Sequence, residues 1–273
     1  MTNPRRLIVV ILISGFLALM TGCIGISPVP SETPYQIPDL TPQAIPEEGK
    51  TPLFELDSSH LEVTPVILPN FSQLIDAVEH SVVAIKTLSS SMDSEGASVQ
   101  ITSSGSGWFI GTDGLIVTDN HVIDDSDNIM ALLRDGREIP AKLINTDPTF
   151  DLALLKIDAG ATPALKIGDS SKMKVGDWVI AIGNPLGQGI SAKEGIISRL
   201  GVNISYGDNL TYENMIEVSA AINPGNSGGP LVNLSGEVIG ITSVKVADTG
   251  VEGMGYAKSI ADAIPVIQRL AAR

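Results

Sequence analysis

Short apolar runs separated by turn-forming segments recur along the chain from about residue 80 onward. The runs are rich in valine, isoleucine and leucine, as expected of β-strands. The pattern predicts a first set of strands at 82–88, 107–110, 115–118, 129–133, 138–144 and 152–157, and a second set at 178–182, 195–200, 215–218, 230–232, 238–246 and 255–257. We therefore expect an all-β fold of two packed barrels, the first over about 82–158 and the second over about 175–258.

Two short helices are predicted to flank the barrels. Apolar residues recur at helical spacing within 71–80, and a closing helix is predicted at 259–273 with Pro265 in its first turns. The serine-rich stretch 89–104 has no apolar period, which predicts a mobile loop.

The first residues of the chain follow a different pattern. Arg5 and Arg6 precede a mostly apolar run at 7–20, which is typical of an export signal. Small residues then precede Cys23, the only cysteine, and this arrangement resembles a bacterial lipobox, although Met20 stands where leucine is usual. An uncleaved anchor is the alternative, because residues 7–26 are long enough to span a bilayer. Both interpretations predict an extracytoplasmic protein held on a membrane of the cell envelope.

A proline-rich, acidic stretch at 24–70 separates this segment from the barrels. Prolines recur every four residues from Pro30 to Pro46, which prevents helix and favours extended backbone. We expect a disordered tether. The predicted organisation is a signal or anchor segment at 1–23, the linker at 24–70 and a folded domain at 71–273.

One serine lies in a turn that is unusually rich in glycine, at residues 223–231. Glycine neighbours leave the Ser227 hydroxyl uncrowded, and such a turn can aim backbone amides at a developing oxyanion, as a nucleophile requires. Gly-x-Ser-x-Gly also matches the nucleophile elbow of α/β-hydrolases, whose histidine follows the serine. All three histidines of this chain precede Ser227, which excludes that fold.

The order histidine, aspartate, serine is that of the chymotrypsin-like double β-barrel. His60 lies in the proline-rich stretch and His80 ends the first predicted helix, so His121, at the end of a predicted strand, is the predicted base. Asp151 opens an apolar run that is predicted to be a buried strand, and it is therefore the predicted carboxylate that orients the imidazole.

Five motifs in register now resemble a known family. They are Gly-Ser-Gly at 105–107, Thr-Asp-Asn-His-Val at 118–122, Asp-Leu-Ala-Leu-Leu-Lys at 151–156, Ala-Ile-Gly-Asn-Pro at 181–185 and Ala-Ile-Asn-Pro-Gly-Asn-Ser-Gly-Gly-Pro at 221–230. Together they resemble the HtrA (Deg) family of serine endopeptidases over residues 71–273. The resemblance implies a trypsin-like protease domain with His121 as base, Asp151 as orienter and Ser227 as nucleophile. It also implies an oxyanion hole from the backbone N–H groups of Gly225 and Ser227.

Two features depart from the family pattern. Val218 and Ser219 stand where the family commonly has Thr-Asp before the Ala-Ala-Ile-Asn run. The family usually continues into PDZ domains, and we expect no regulation through a PDZ domain within this chain. By the same resemblance, a homotrimer is the expected assembly.

Five residues are expected to contact substrate: Ala221, Ile222, Gly240, Ile241 and Thr242. Trypsin-like enzymes that cut after Lys or Arg carry an acid at the position of Ala221, so we expect a preference for aliphatic or small uncharged residues. The strand 240–244 is predicted to present an edge to which an extended peptide adds as a further strand. The resemblance also implies that the glycine-rich loops 183–194 and 246–255 switch the oxyanion hole between collapsed and formed states.

The charge of the chain and its lack of certain motifs argue against nucleic-acid, nucleotide and zinc binding. Its net charge of −14 comes without a basic patch for nucleic acid, and it has neither a phosphate-binding loop nor a familiar zinc pattern. No metal or cofactor is predicted. The predicted function is a membrane-tethered endopeptidase that cuts unfolded or damaged polypeptides. The alternative is a peptide-binding, chaperone-like module with incidental proteolysis.

Overall fold

The structure is a computed structural model that describes residues 70–92, 98–206, 210–243 and 254–272. These residues all belong to one compact unit, which spans 65–273. The predicted signal or anchor segment, Cys23, His60 and the tether lie outside the described residues. Within the described part, no helix is both long and apolar enough to cross a bilayer.

Strands dominate the described part of the chain, with few helices between them. The helices are α1 (Phe71–Val78), α2 (Asn120–Ile123) and α3 (Ile260–Ala271), with 3-10 turns at Glu79–Ser81, Ser170–Lys172 and Pro185–Gly187. The first seven strands are β1 (Val82–Met92), β2 (Ser98–Phe109), β3 (Leu115–Thr118), β4 (Asn128–Leu132), β5 (Glu138–Pro140), β6 (Lys142–Asp147) and β7 (Leu152–Lys156). The remaining six are β8 (Trp178–Gly183), β9 (Ser191–Tyr206), β10 (Leu210–Val218), β11 (Pro230–Asn233), β12 (Val238–Thr242) and β13 (Gly255–Ser259).

The first seven strands form one antiparallel sheet in the order β5-β4-β1-β2-β3-β7-β6. Its edge strands β5 and β6 are separated in sequence by Ala141 alone, so the sheet has to curl until its edges approach. We predicted one strand at 138–144, and this was wrong. The strand ends at Pro140, which has no N–H to continue the ladder, and Ala141 donates to the carbonyl of Ile129 (2.9 Å).

The last six strands close into a barrel in the order β10-β13-β12-β11-β8-β9. Each of its strands is apolar on the inner face, and the interior is filled by Val179, Ala181, Ile197, Ile216, Val218, Leu231, Ile239 and Ala257. Together with the curled first sheet, this barrel gives the predicted chymotrypsin-like architecture, which is confirmed.

The serine-rich stretch 89–104 is not a loop, and the prediction of a mobile loop there was wrong. β1 and β2 continue past the core as a long hairpin in which Leu88 pairs with Thr102 and Ser90 with Gln100. Backbone hydrogen bonds hold this part of the hairpin, and they need no apolar period in the sequence. Only residues 93–97 at its tip lie outside the described residues.

A shared core joins the first sheet, the second barrel and α3. It combines buried residues of the first sheet, of the second barrel and of α3: Val82, Trp108, Val117, Leu154, Ile180, Ile182, Val232, Ile241, Ile260, Ile267 and Leu270. Burying each such aliphatic side chain contributes about 1.5–3 kcal/mol. This core fixes the relative positions of the ends of β3, β7, β12 and β13. The predicted catalytic residues lie next to these strand ends.

Candidate active site

His121 lies one residue inside α2, the single helical turn that directly follows β3. We predicted a position at the end of a strand, and the structure adds a turn of helix at that point. Thr118 and Asp119 before it are fully buried, whereas the His121 side chain is 24% exposed. The imidazole is therefore held by a buried segment and still reaches the surface.

Asp151 binds both the backbone and the ring of His121. Its Oδ1 accepts the His121 backbone N–H (2.8 Å), and its Oδ2 lies 2.8 Å from the ring Nδ1. Because an ionised carboxylate can only accept, Nδ1 carries the proton and Nε2 is left as the acceptor. Asp151 has a φ of +57°, a conformation that aspartate tolerates better than most residues, and it is 1% exposed.

Two further charged residues surround this pair, and the sequence did not predict them. The Lys258 ammonium, on β13, lies 2.6 Å from Asp119 Oδ1, 2.8 Å from the Asp151 carbonyl and 3.1 Å from Asp151 Oδ2. The side chains of Lys258 and Asp119 are 2% and 0% exposed. The sequence feature that could have revealed them is a single charged residue within each of two apolar segments, 115–119 and 255–260.

The pKa values of the two carboxyls move in opposite directions. Burial raises the pKa of Asp119 to about 6, although the nearby Lys258 charge opposes this rise. Burial also raises the pKa of Asp151, but the charge of Lys258 and the hydrogen bonds from His121 outweigh it and lower the value to about 2. Both carboxyls are therefore ionised at neutral pH.

Backbone hydrogen bonds hold the Ser227 turn, one within the turn and one to β12. Gly228 donates to the Thr242 carbonyl and Gly229 to the Asn226 carbonyl, each at 2.9 Å. Gly228 has a φ of +80°, and a Cβ there would lie 2.4 Å from the Ser106 carbonyl oxygen. Glycine is therefore required at this position both by the backbone angle and by the lack of space.

Ser106 of the Gly-Ser-Gly motif joins the serine turn to the first sheet. Its N–H donates to the Ser227 carbonyl (2.8 Å), and its hydroxyl donates to the Gly225 carbonyl (2.6 Å). The same hydroxyl accepts the Asn184 N–H (2.8 Å). Ser106 thus holds the carbonyls of Gly225 and Ser227, the two residues whose N–H groups the resemblance assigns to the oxyanion hole.

The serine turn also lies directly against the histidine segment. A Cβ on Gly228 would be 2.8 Å from the Asp119 nitrogen, and one on Gly105 would be 2.6 Å from Val122 and 3.2 Å from the Ser227 carbonyl oxygen. The structure therefore brings the predicted nucleophile to the wall that carries the predicted base and its carboxylate.

The predicted substrate residues divide into two groups. Ala221 is exposed and Ile222 is 7% exposed, directly before the serine turn. Gly240, Ile241 and Thr242 are buried in β12, which is paired with β11 on one side and β13 on the other. We predicted a free edge there, and this was wrong for 240–242, because closure of the barrel places β12 between two neighbours.

Thr242 supports the serine turn instead. Its hydroxyl donates to the carbonyl of Asn226 (2.6 Å), and its backbone carbonyl accepts from Gly228. The predicted loop 183–194 is shorter than expected, because β9 begins at Ser191. Residues 244–253, which include most of the second predicted loop, lie outside the described residues.

The donor groups of Asp119, His121 and Asp151 lie within 4.8 Å of one another, close enough to suit a metal ion. The Lys258 ammonium already contacts both carboxylates, so a cation of the protein itself takes that place. The arrangement is suited to proton transfer by an oriented imidazole.

Comparison with known proteins agrees with this architecture. A family model described as a trypsin-like peptidase domain matches residues 105–241, about half of the chain. A relative from Pseudomonas putida (strain W619), "Probable periplasmic serine endoprotease DegP-like", is 47% identical over 167 residues, covering 61% of this chain and 34% of its own length. A relative of the same description from Marinomonas sp. (strain MWYL1) is 48% identical over 172 residues, covering 63% and 36%. The chain thus spans about a third of the length of these relatives.

Solved structures show the same likeness. "HtrA-type protease AlgW with decapeptide" has 34% identity and a TM-score of 0.65, covering 75% of this chain and 68% of that one. "HtrA-type protease AlgW with tripeptide" has 38% identity and a TM-score of 0.62, covering 73% and 63%. The fold is that of the chymotrypsin-like proteases. The chain belongs to the trypsin-like peptidases, in the HtrA/DegP-like group of serine endoproteases, as its motifs predicted.

Proposed function

We propose that this chain is an endopeptidase that hydrolyses peptide bonds with Ser227 as nucleophile, His121 as base and Asp151 as the orienting carboxylate. The observation that carries the proposal is the double hydrogen bond from Asp151 to His121, beside a serine turn whose backbone is held in place. A histidine fixed in one tautomer next to a glycine-lined serine is the arrangement that acyl transfer requires.

In this mechanism the Ser227 oxygen attacks the scissile carbonyl while its proton passes to Nε2 of His121. The resulting imidazolium is stabilised by Asp151, and the protonated ring then gives its proton to the leaving amine. The acyl group is left on Ser227. Water attacks this ester in the second half of the reaction, again with His121 as base, and releases the acid.

The negative charge on the tetrahedral oxygen needs preorganised donors. We assign this role to the backbone N–H groups of Gly225 and Ser227. Support comes from Ser106, which holds the backbone on both sides of these donors: its hydroxyl donates to the Gly225 carbonyl at 2.6 Å, and its N–H donates to the Ser227 carbonyl at 2.8 Å. One oxyanion donor contributes about 10²–10³ in kcat in related chemistry, so the fixed peptide has a large effect on rate.

The proposed substrates are extended or unfolded polypeptides. The two AlgW structures were solved with a decapeptide and a tripeptide, and Ala221 stands at the position where trypsin-like enzymes that select Lys or Arg carry an acid. We expect cuts after aliphatic or small uncharged residues. Mass spectrometry of denatured casein digests tests this preference, and cuts mainly after Lys or Arg would overturn it.

We further propose that the protease domain at 71–273 works outside the cytoplasm. The relatives from Pseudomonas putida and Marinomonas both carry the name "Probable periplasmic serine endoprotease DegP-like". Cys23 as a lipidation site, or residues 7–26 as an anchor, would hold the domain on a membrane through the linker 24–70, and a homotrimer is the proposed assembly. Mass spectrometry of the mature N-terminus tests the location, since a lipid-modified Cys23 and an intact leader differ in mass.

The central experiment is labelling of the full chain with a fluorophosphonate, together with casein turnover. Wild type is expected to be labelled, and Ser227→Ala to lose both labelling and turnover. Ser235→Ala, which changes an exposed serine on the β11–β12 turn, is the matched control and keeps both. A wild type that binds casein without labelling or turnover would favour the peptide-binding module over the enzyme.

A further inference from the structure

The buried Lys258 is the feature of the site that the proposed mechanism leaves unexplained. It extends from β13 of the second barrel to two carboxylates of the first sheet, and its three acceptors are Asp119 Oδ1, the Asp151 carbonyl and Asp151 Oδ2. An ammonium has three N–H donors, so all three can be satisfied. A lysine that is 2% exposed is tolerated only when it is paired in this way.

Asp119 divides its two oxygens between different neighbours. Oδ1 accepts from Lys258, whereas Oδ2 has no hydrogen-bond partner among the described residues and lies 3.7 Å from Nδ1 of His121. This distance is too long for a hydrogen bond but short for an interaction between charges in a buried site. His121 therefore faces two carboxylates, one bonded and one not.

The charges around His121 add up to one net negative charge, the same as in a site where a single carboxylate faces the histidine. Among the described residues, the charged side chains placed against the ring are Asp119 and Asp151, with Lys258 in contact with both. Lys258 alone would weaken the attraction between Asp151 and an imidazolium. Asp119 restores it, because it adds one negative charge on the side of the ring that Oδ2 faces.

We propose that Lys258 and Asp119 are a positioning pair for the His121–Asp151 dyad: Lys258 fixes the carboxylate and the carbonyl of Asp151, and Asp119 cancels the lysine charge in the field at His121. The pair acts through other residues and does not touch substrate. This inference rests on the proposed function. It explains why a lysine can be buried beside a carboxylate that has to stabilise a cation.

The competing explanation is an ion pair that only ties the two barrels together. The two explanations differ in how the substitutions combine. If the charges act at His121, Asp119→Asn leaves Lys258 uncompensated, and adding Lys258→Met repairs the field. If the pair is only structural, the two losses accumulate, and neither moves the pH dependence of catalysis.

The test is the pH profile of kcat/KM for the full chain and its variants. Asp119→Asn is expected to lower kcat/KM about tenfold or more and to move the acid limb about 1 pH unit lower. Lys258→Met is expected to lower kcat/KM with little movement of the limb, because Asp119 takes up a proton when it faces Asp151 without the ammonium. The double variant is expected to return the limb to within about 0.3 unit of wild type.

The exposed pair Asp113 and Lys156 provides a matched control, since its ammonium and carboxylate are 2.5 Å apart at the surface. Asp113→Asn with Lys156→Met should leave the acid limb in place. An unmoved limb in Asp119→Asn, or a double variant as displaced as that single variant, overturns the proposal. If Asp119→Asn does not fold, an active double variant with a wild-type limb supports the proposal, and a double variant that is unfolded or inactive overturns it.

A titration of the His121 imidazole by NMR, in the Ser227→Ala background, separates this proposal from the proposed function. No turnover by wild type would end the proposed function. The titration midpoint of His121 still responds to Asp119→Asn if the pair acts on the ring, and a midpoint that does not respond overturns the pair's role without any reference to proteolysis.

Discussion

The two barrels hold their parts of the site by different physical means. On the first sheet, His121 is oriented by ions: Asp151 and Asp119 are buried carboxylates, and Lys258 reaches them from the other barrel. On the second barrel, the Ser227 turn is held by neutral backbone hydrogen bonds and by glycines that leave no room for a side chain. One half depends on charge in a low-dielectric interior, and the other on shape.

This difference predicts how each half fails. Removal of a charge from the first half alters the proton chemistry of His121 while the backbone stays in place. Addition of a methyl group to the second half displaces the backbone itself, so stability falls before chemistry is affected. Substitutions that preserve shape test the first half, and substitutions that preserve charge test the second.

The largest expected effect is that of Asp151→Asn. The amide can present its NH₂ group to Nδ1 and so favour the wrong tautomer, and kcat is expected to fall by about 10⁴ while KM changes little. Steady-state kinetics on a peptide substrate measures this. Asp158→Asn, an exposed change a few residues along the chain, should stay within about twofold of wild type. A loss below tenfold in Asp151→Asn would mean that another group orients His121.

Gly228→Ala tests the dependence on shape in the second half. The new Cβ would meet Ser106 and Thr118 oxygens at 2.4 Å, so we expect a loss of about 3 kcal/mol or more in unfolding free energy. Gly160→Ala is the matched control, because Gly160 has a φ of +73° and nothing within 4 Å of the new methyl group. It should cost only about 1–2 kcal/mol. Urea unfolding measures both, and equal losses would remove the steric argument.

Ser106→Ala tests the link between the halves. The change leaves the Gly225 carbonyl and the Asn184 N–H without their buried partner, at a cost of about 1–3 kcal/mol. We expect kcat/KM to fall about tenfold to a hundredfold, mainly in kcat, because the segment 225–227, which carries the two proposed oxyanion donors, is less well held. Ser103→Ala, an exposed change on the same strand, should have no measurable effect. A rise in KM with no change in kcat would show that Ser106 does not act through the oxyanion hole.

The smallest expected effect concerns the pH dependence of stability. The pKa of Asp119 is raised to about 6 in the folded state, above its unfolded value of about 3.9, so its contribution to unfolding free energy increases as pH falls from about 7 to 4. The pKa of Asp151 is lowered to about 2, so its contribution is present above about 4 and is lost as pH falls towards 2.

We therefore compare urea unfolding of wild type and Asp119→Asn at pH 7.5 and pH 5. The change in unfolding free energy between the two pH values should favour pH 5 by about 1 kcal/mol more in wild type than in the variant. The comparison of differences removes the carboxylates outside the site, which titrate alike in both proteins, and leaves Asp119 together with the groups in contact with it. An identical pH response would show that Asp119 carries no proton at pH 5.

Most of the fold could be predicted from the sequence, because most strands are short apolar runs bounded by turn-forming residues. β3 was predicted at its observed bounds, and α1 at its observed start, since apolar period and flanking polar residues mark them. The long hairpin of β1 and β2 was missed, because strands that extend into solvent show no apolar alternation. The break at Ala141 was missed because a short edge strand and its neighbour look like one run.

The sequence by itself determined the class of the protein and its candidate residues: one serine among glycines, one histidine after a strand, and one aspartate before another, in an order that fits a single fold. The tertiary structure alone decided what surrounds them. Asp119 and Lys258 lie 139 residues apart in sequence and meet only because the first sheet and the second barrel pack against each other. Because both side chains are buried, the interaction between their charges is strong. The local sequence around either residue does not show that the other will neutralise its charge.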